Sequence, residues 1–219
     1  MDARTTNPPY LEVTDLSAGY HRRAPAFEGL SFRFAEPGLV RLDGRNGAGK
    51  STLIEVMSGY LPPLSGGVRV LGHAAASRAA RAHRRVCRTQ TALFGEMTVH
   101  DHLIFASRCA GVDPAPAVAR FEAYGGGEWR NARAGDLSAG NARKLWLVMS
   151  TVGRFGVVAL DEPFVGLDEH GSRALETEIA QWRRHALVLL VSHQVPPGLT
   201  VDRTVVLGEP STNGAHHAP

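Results

Sequence analysis

Lysine is nearly absent from this chain: Lys50 and Lys144 are the only two, and almost every other cation is an arginine. A lysine here marks a position rather than a composition. Cysteine is as scarce, with Cys87 and Cys109 alone and no C-x-x-C spacing, so no disulfide framework is expected and both thiols should be reduced and partly buried. No apolar run approaches the roughly 18 to 20 residues needed to cross a bilayer. Met1–Pro9 contains no apolar stretch of the kind a secretory signal requires. A cytoplasmic chain without its own membrane span follows as the expectation. Internal repeats are missing too, and so is the Asn-Lys-x-Asp guanine reader of small GTPases. The net charge of +3 is spread over the chain. Its densest basic run, Arg78 to Arg88, has neither the aromatics that stack bases nor a nucleic-acid-binding motif. It is expected to be a solvated helix face leading into a strand, and no nucleic-acid partner is inferred.

What is present fits one α/β domain with a small insertion, since 219 residues of ordinary hydrophobic content (43%) bury a good core but hardly two. Residues 1–9, polar with a Pro pair, are expected to be mobile, and 208–219 a disordered tail in which His216-His217 is inert. Leu11-Glu12-Val13 begins the fold as a strand. Leu16 to Tyr20 then leads to the alternating Phe27–Phe34, an antiparallel edge sheet with Tyr20 on its loop. Such a tyrosine either covers a core or stacks on a base. Leu39–Leu42 reads as a strand and Lys50–Ser58 as a helix; turn formers fill Gly59–Gly67, and Val68–Leu71 is a strand. An Arg-rich helix, a strand over Arg85–Thr89 and a loop through Gln90 to Met97 follow. Thr98 is a credible cap for a helix over Val99–Ala110. From about 91 to 150 the chain reads as a helical subdomain inserted in the α/β core. Strands return at Phe155–Leu160, at the continuous apolar run Ala186–Ser192 typical of a parallel strand buried on both faces, and at Thr204–Leu207. A helix over Glu169–Arg184 separates the first two.

Chemistry concentrates at two places. Gly44-Arg45-Asn46-Gly47-Ala48-Gly49-Lys50-Ser51-Thr52 satisfies G-x-x-x-x-G-K-[ST] between a strand and a helix. Its glycines let backbone N–H groups and the positive helix end face a phosphate. Lys50 would reach the β- and γ-phosphates, and the Ser51 hydroxyl would ligate Mg²⁺. About 110 residues further on, Asp161-Glu162 ends an apolar strand, where open α/β sheets place their ligands. Asp161 suits Mg²⁺ binding, commonly through water, and Glu162 suits a general base for water attacking the γ-phosphate. Ser138, before a helix containing Trp146 and Leu147, reads as an N-cap whose small neighbours admit a phosphate. His193 closes the buried strand; alone, either of these last two reads as structural.

Taken together, these positions resemble the ATPase subunit of ATP-binding cassette (ABC) transporters, over about residues 11 to 207. The matching motifs run in order: an aromatic A-loop at Tyr20, Walker A at Gly44–Thr52 and a Q-loop at Gln90. A signature follows at Leu137-Ser138-Ala139-Gly140-Asn141, then Walker B at Val157–Asp161 with Glu162, a D-loop at Gly166-Leu167-Asp168, and an H-loop at His193. The resemblance implies a phosphate-loop NTPase core with a mainly parallel sheet, an antiparallel β edge subdomain and an inserted α-helical subdomain. It implies ATP and Mg²⁺ as cofactors, with Gly44, Asn46, Gly47, Gly49, Lys50, Ser51 and Thr52 cradling the nucleotide and Tyr20 stacking on adenine. Ser51, Gln90 and Asp161 would serve the metal, and Glu162, His193, Gln90 and Lys50 the hydrolysis. Ser138 and Gly140 would close over ATP held by another copy, in a head-to-tail homodimer or heterodimer, with Asp168 linking the two sites.

Two departures stand out. The signature has Ala139 and Asn141 where the family most often has Gly and Gln, and Pro196-Pro197 follows His193 where the family starts a helix, which should be shortened here. The functional expectation is ATP hydrolysis energising transport through transmembrane permease subunits on separate chains, with the protein peripheral on the inner face of the cell membrane. Export is favoured by the resemblance of Ser138 to Leu145 to exporter-type cassettes. Docking is expected over Gln90 to Leu103, with Phe94 and Met97 partly exposed. The alternative is a non-transport ABC ATPase of DNA repair, chromosome structure or translation, although the long coiled-coil insertion or tandem cassette usual in those is not seen.

Overall fold

The computed structural model describes residues 7–21 and 23–208. The expectations for residues 1–6 and 209–219, His216-His217 included, lie outside the described residues. Residues 7–9 have no regular structure, and Pro9 is buried.

Two sheets share the fold. Strands β1 (Leu11–Ala18), β2 (Phe27–Phe34), β4 (Ser65–Val70) and β5 (His73–Ala74) form an antiparallel sheet in the order β2-β1-β4-β5. Strands β3 (Gly38–Asp43), β6 (Arg84–Cys87), β7 (Val157–Asp161), β8 (Leu187–Val191) and β9 (Arg203–Val206) form a second sheet in the order β6-β7-β8-β3-β9, all of whose pairings are parallel. Its strands point one face each way. Val157, Ala159, Leu187 and Leu189 join the antiparallel sheet and helix α1 (Lys50–Met57) in one core. Val158, Leu160, Val188 and Leu190 join a second core under the helical insertion and the helix Glu169–Trp182. Both faces of β7 and β8 are therefore apolar, which is why their sequence runs apolar without alternation.

The insertion comprises α3 (Val99–Cys109), α4 (Ala115–Ala123), two short 3₁₀ turns and α5 (Ala139–Ser150). Helix α3 starts where expected, with the Thr98 hydroxyl accepting from the Asp101 N–H at 3.1 Å. Helix α6 (Glu169–Trp182) covers the same core and is capped by Asp168, whose Oδ1 accepts from the Gly171 N–H at 2.7 Å.

Several boundaries differ from the sequence reading. Strand β1 continues to Ala18 through register shifts between Val13 and Ala18. Strand β4 begins at Ser65 instead of Val68, because Gly66, which looks like a turn former, packs its Cα against β1. A Cβ there would lie 2.3 Å from the carbonyl oxygens of Thr14 and Asp15. Leu71 is a turn residue with φ 47°. The Arg-rich helix α2 spans only Arg78–His83 and does not keep its whole basic run in solvent. Arg84 is buried on β6, where its guanidinium donates to the Ala75 and Ser58 carbonyls. Among the described residues no helix follows His193: residues 194–200 include a turn in which the Leu199 N–H meets the Pro196 carbonyl at 3.0 Å. Cys87 is buried, but Cys109 is exposed at the end of α3 rather than partly covered.

Candidate nucleotide site

Strand β3 ends at Asp43, and the chain turns through Gly44–Gly49 into α1. Gly49 occupies the N-cap with φ 91° and no capping side chain, so the first N–H groups of α1 are left for an anion. A Cβ on Gly49 would stand 2.6 Å from Cδ1 of Phe27, so the antiparallel sheet seats the loop closely from below. The Lys50 ammonium donates to the Gly44 carbonyl at 2.6 Å and the Arg45 carbonyl at 3.1 Å, folding over its own loop.

Strands β7 and β8 bring the other groups to the same end of the sheet. A cleft of about 340 Å³ is lined by Asn46, Gly47, Gly49, Lys50, Ser51, Thr52, Thr89, Asp161, Glu162, Val191 and His193. The Ser51 hydroxyl donates to Asp161 Oδ2 at 3.1 Å across it. Glu162 has φ 45°, a left-handed conformation that costs a non-glycine residue about 1–3 kcal/mol. Its N–H is held by the Val191 carbonyl at 2.9 Å. Its carboxylate accepts from the His193 N–H at 3.4 Å, and the His193 imidazole Nε2 lies 3.6 Å from the other oxygen.

An adjoining cleft of about 310 Å³ shares Ser51, Thr89 and Asp161 with the first and adds Tyr20, Ile54, Glu55, Arg88 and Gln90. Tyr20 and Gln90 thus line this second cleft and not the one that holds Glu162, and Tyr20 is 66% exposed. Ser138 and Gly140 line neither cleft. Ser138 caps α5, its hydroxyl accepting from the Asn141 N–H at 3.3 Å, and it is exposed.

A hard divalent cation takes oxygen ligands and keeps waters. The Ser51 hydroxyl and the Asp161 carboxylate already converge to hydrogen-bond distance in the cleft, with Gln90 beside them, and this donor set fits Mg²⁺. Among the described residues no group of three or more His, Cys, Asp or Glu could hold a metal by itself. A site completed by phosphate oxygens is consistent with that.

Other residues bearing on the site escaped the sequence reading. The buried Arg143 reaches the backbone around Asp161 and Glu162. Lys144, buried as well, donates to Asp168 Oδ2 at 2.6 Å. That ammonium, together with the Gly171 N–H, holds the Asp168 carboxyl below the usual carboxylate range. Arg88 pairs with Glu55 at 2.7 Å and lies over the Tyr60 ring. A lysine in a chain with two was the one signal available for Lys144; nothing local distinguishes Arg143 from its many exposed counterparts.

The strand, glycine loop and helix, with a carboxylate pair at the end of a parallel strand, define a phosphate-loop nucleotide-binding domain. Residues 27–165 match the family model described as ABC transporter, and this chain belongs to the ABC transporter family. The ATP-binding cassette sub-family A member 7 of Mus musculus is 33% identical over 177 residues, 78% of this chain. The retinal-specific phospholipid-transporting ATPase ABCA4 of Homo sapiens is 32% identical over 192 residues, 84% of this chain. The chain spans 8% of the length of each of these relatives. Among solved structures, one described as the ATP-binding subunit of an ABC transporter superposes with a TM-score of 0.81 at 28% identity, covering 90% of this chain and 85% of that one. A bacterial Atm1-family ABC exporter with ATP bound shares the fold with a TM-score of 0.81 at 20% identity, over 94% of this chain and 38% of that one.

Proposed function

We propose that this chain is the ATP-binding and ATP-hydrolysing motor of an ABC transporter, acting through transmembrane permease subunits on separate chains. The observation that carries the reading is the convergence of Lys50, Ser51, Asp161, Glu162 and His193 on one cleft at the C-terminal ends of β3, β7 and β8. The loop N–H groups and Lys50 bind the β- and γ-phosphates, Lys50 exchanging its own loop carbonyls for phosphate oxygens. Ser51, Asp161 and Gln90 would hold Mg²⁺, which when bound neutralises charge on the phosphate oxygens. Glu162 takes a proton from the attacking water as its oxygen bonds to the γ-phosphorus and the bond to the ADP oxygen breaks. His193 lies beside that carboxylate, where it contacts the γ-phosphate. Tyr20 stacks on adenine, and its exposure leaves a face free for the base.

The exposed Ser138 and the partly exposed Gly140 at the start of α5 serve a second copy's nucleotide, in a homodimer or heterodimer. Phe94, 59% exposed, and the partly exposed Met97 form the surface on which the permease docks, keeping the protein on the inner face of the membrane. Among the described residues no helix is long and apolar enough to cross a membrane. Export is the direction we favour, from the Ser138–Leu145 sequence. The non-transport alternative has no observation in its favour.

The test is Glu162→Gln with MgATP. The expected outcome is loss of turnover together with an ATP-dependent dimer on size-exclusion chromatography. Unchanged turnover removes Glu162 as the base.

A further inference from the structure

Strands β6 and β7 run parallel, with Cys87 opposite Leu160, and their pairing stops there. Beyond it, Arg88-Thr89 leads to Gln90, and Asp161-Glu162 carries the metal-binding and water-activating carboxylates. One side chain reaches carbonyls of both stretches. Arg143, 4% exposed, donates from Nη1 to the carbonyls of Arg88 (2.6 Å) and Thr89 (2.9 Å), and from Nη2 to those of Asp161 (3.1 Å) and Glu162 (2.9 Å). It stands on α5, within two turns of the Ser138 cap. A planar guanidinium suits four carbonyls so arranged, because its fork holds two pairs of acceptors apart, whereas an ammonium gathers its donors on one atom.

We propose that Arg143 is a positioning residue for hydrolysis. It fixes the backbone of Glu162, and hence the direction in which that carboxylate faces water, and it ties that direction to the seat of α5. Glu162 is pinned on both sides, by Val191 at its N–H and by Arg143 at its carbonyl, in a left-handed conformation that a free chain would leave. The inference rests on the reading of Glu162 as base.

The surrounding contacts make the variant testable. Without Arg143 the Arg88 carbonyl keeps the Trp146 indole N–H at 3.1 Å and the Asp161 carbonyl keeps the Thr89 hydroxyl at 3.2 Å. The Glu162 carbonyl keeps the Val165 N–H at 3.3 Å. Steady-state MgATP hydrolysis by the full chain is compared for wild type, Arg143→Met, Arg143→Lys, Glu162→Gln and the Arg143→Met/Glu162→Gln double variant. The expected result is a kcat lowered about 30-fold or more in Arg143→Met with KM within about threefold, and partial recovery in Arg143→Lys. In the Glu162→Gln background the same change should alter residual turnover less than about twofold, because the group it positions is gone. An equal loss in both backgrounds, a KM rising as far as kcat falls, or an unaltered kcat overturns the proposal. If Arg143→Met does not fold, Arg143→Lys is carried through the same two backgrounds, expecting a smaller loss of kcat that again vanishes with Glu162→Gln. Unchanged turnover in Glu162→Gln alone overturns the reading of Glu162 itself, and that arm shows it without any Arg143 variant.

Discussion

Cys87 and Cys109 carry the same thiol and differ in everything around it. Burial is the main influence that pushes the Cys87 thiol up to about 11, so at neutral pH it is neither a thiolate nor reachable. Cys109 is exposed at the end of α3. A maleimide applied to the native chain at pH 7 should therefore modify one cysteine, Cys109, and reach Cys87 only in denaturant. Mass spectrometry of peptides from the two conditions checks this, and fast labelling of Cys87 in the native chain would contradict the burial. That the phosphate loop and the Asp161-Glu162 pair stand at strand ends was legible, because that placement follows from their own spacing and from the strand or helix beside them. Arg84 and Arg143 were not. Burial, with Arg81 nearby as a lesser cause, lowers Arg84 to about 10, and its guanidinium ties together carbonyls from two separate turns, at Ser58 and Ala75. A side chain whose partners are brought by tertiary structure looks in sequence like any surface arginine.

At the scale of elements, type was more legible than boundary. Apolar alternation and runs announce β2, β3, β7 and β8, whereas β1 and β4 extend into Ser, Ala and Gly residues that propensity alone assigns to turns. Those extensions come from pairing with each other, which composition does not encode. The loop before α1 is the opposite case, since a fixed backbone leaves its sequence little choice. Gly49 has φ 91° and its Cα stands against the Phe27 ring. Gly49→Ala adds both backbone strain and a clash with a side chain that has little room to retreat, because Phe27 packs on the core. The expected outcome is a fall in affinity for a fluorescent ATP analogue of about tenfold or more, with the far-ultraviolet circular dichroism unchanged. Wild-type affinity would show that the loop adapts.

Across the whole molecule, the two cores on either face of the parallel sheet raise the question of what seats the helical insertion, whose α5 carries Ser138 at one end and, by Arg143, grips the site. The second core supplies most of it through apolar contact. A polar tie adds direction: Arg120 of α4 makes a two-pronged contact with Glu178 of α6, at 2.6 and 2.8 Å, and also donates to Thr151. The Tyr124 hydroxyl donates to Glu178 at 2.7 Å, and burial is the main cause that raises the phenol above its ordinary range. Glu178 is 17% exposed, so removing its partner leaves a carboxylate that water only partly serves. Arg120→Met should cost about 2–3 kcal/mol of unfolding free energy, somewhat less than for a wholly buried pair. Tyr124→Phe should cost about 1.5 kcal/mol or more, since the hydrogen bond it removes ends on a carboxylate. The double change Arg120→Met/Glu178→Met removes the stranded charge as well, and should be less destabilising than Arg120→Met alone. Urea midpoints of the four chains decide between this and a tie of no consequence. A double variant no more stable than Arg120→Met would instead show that Arg120 and Glu178 do not act as one unit.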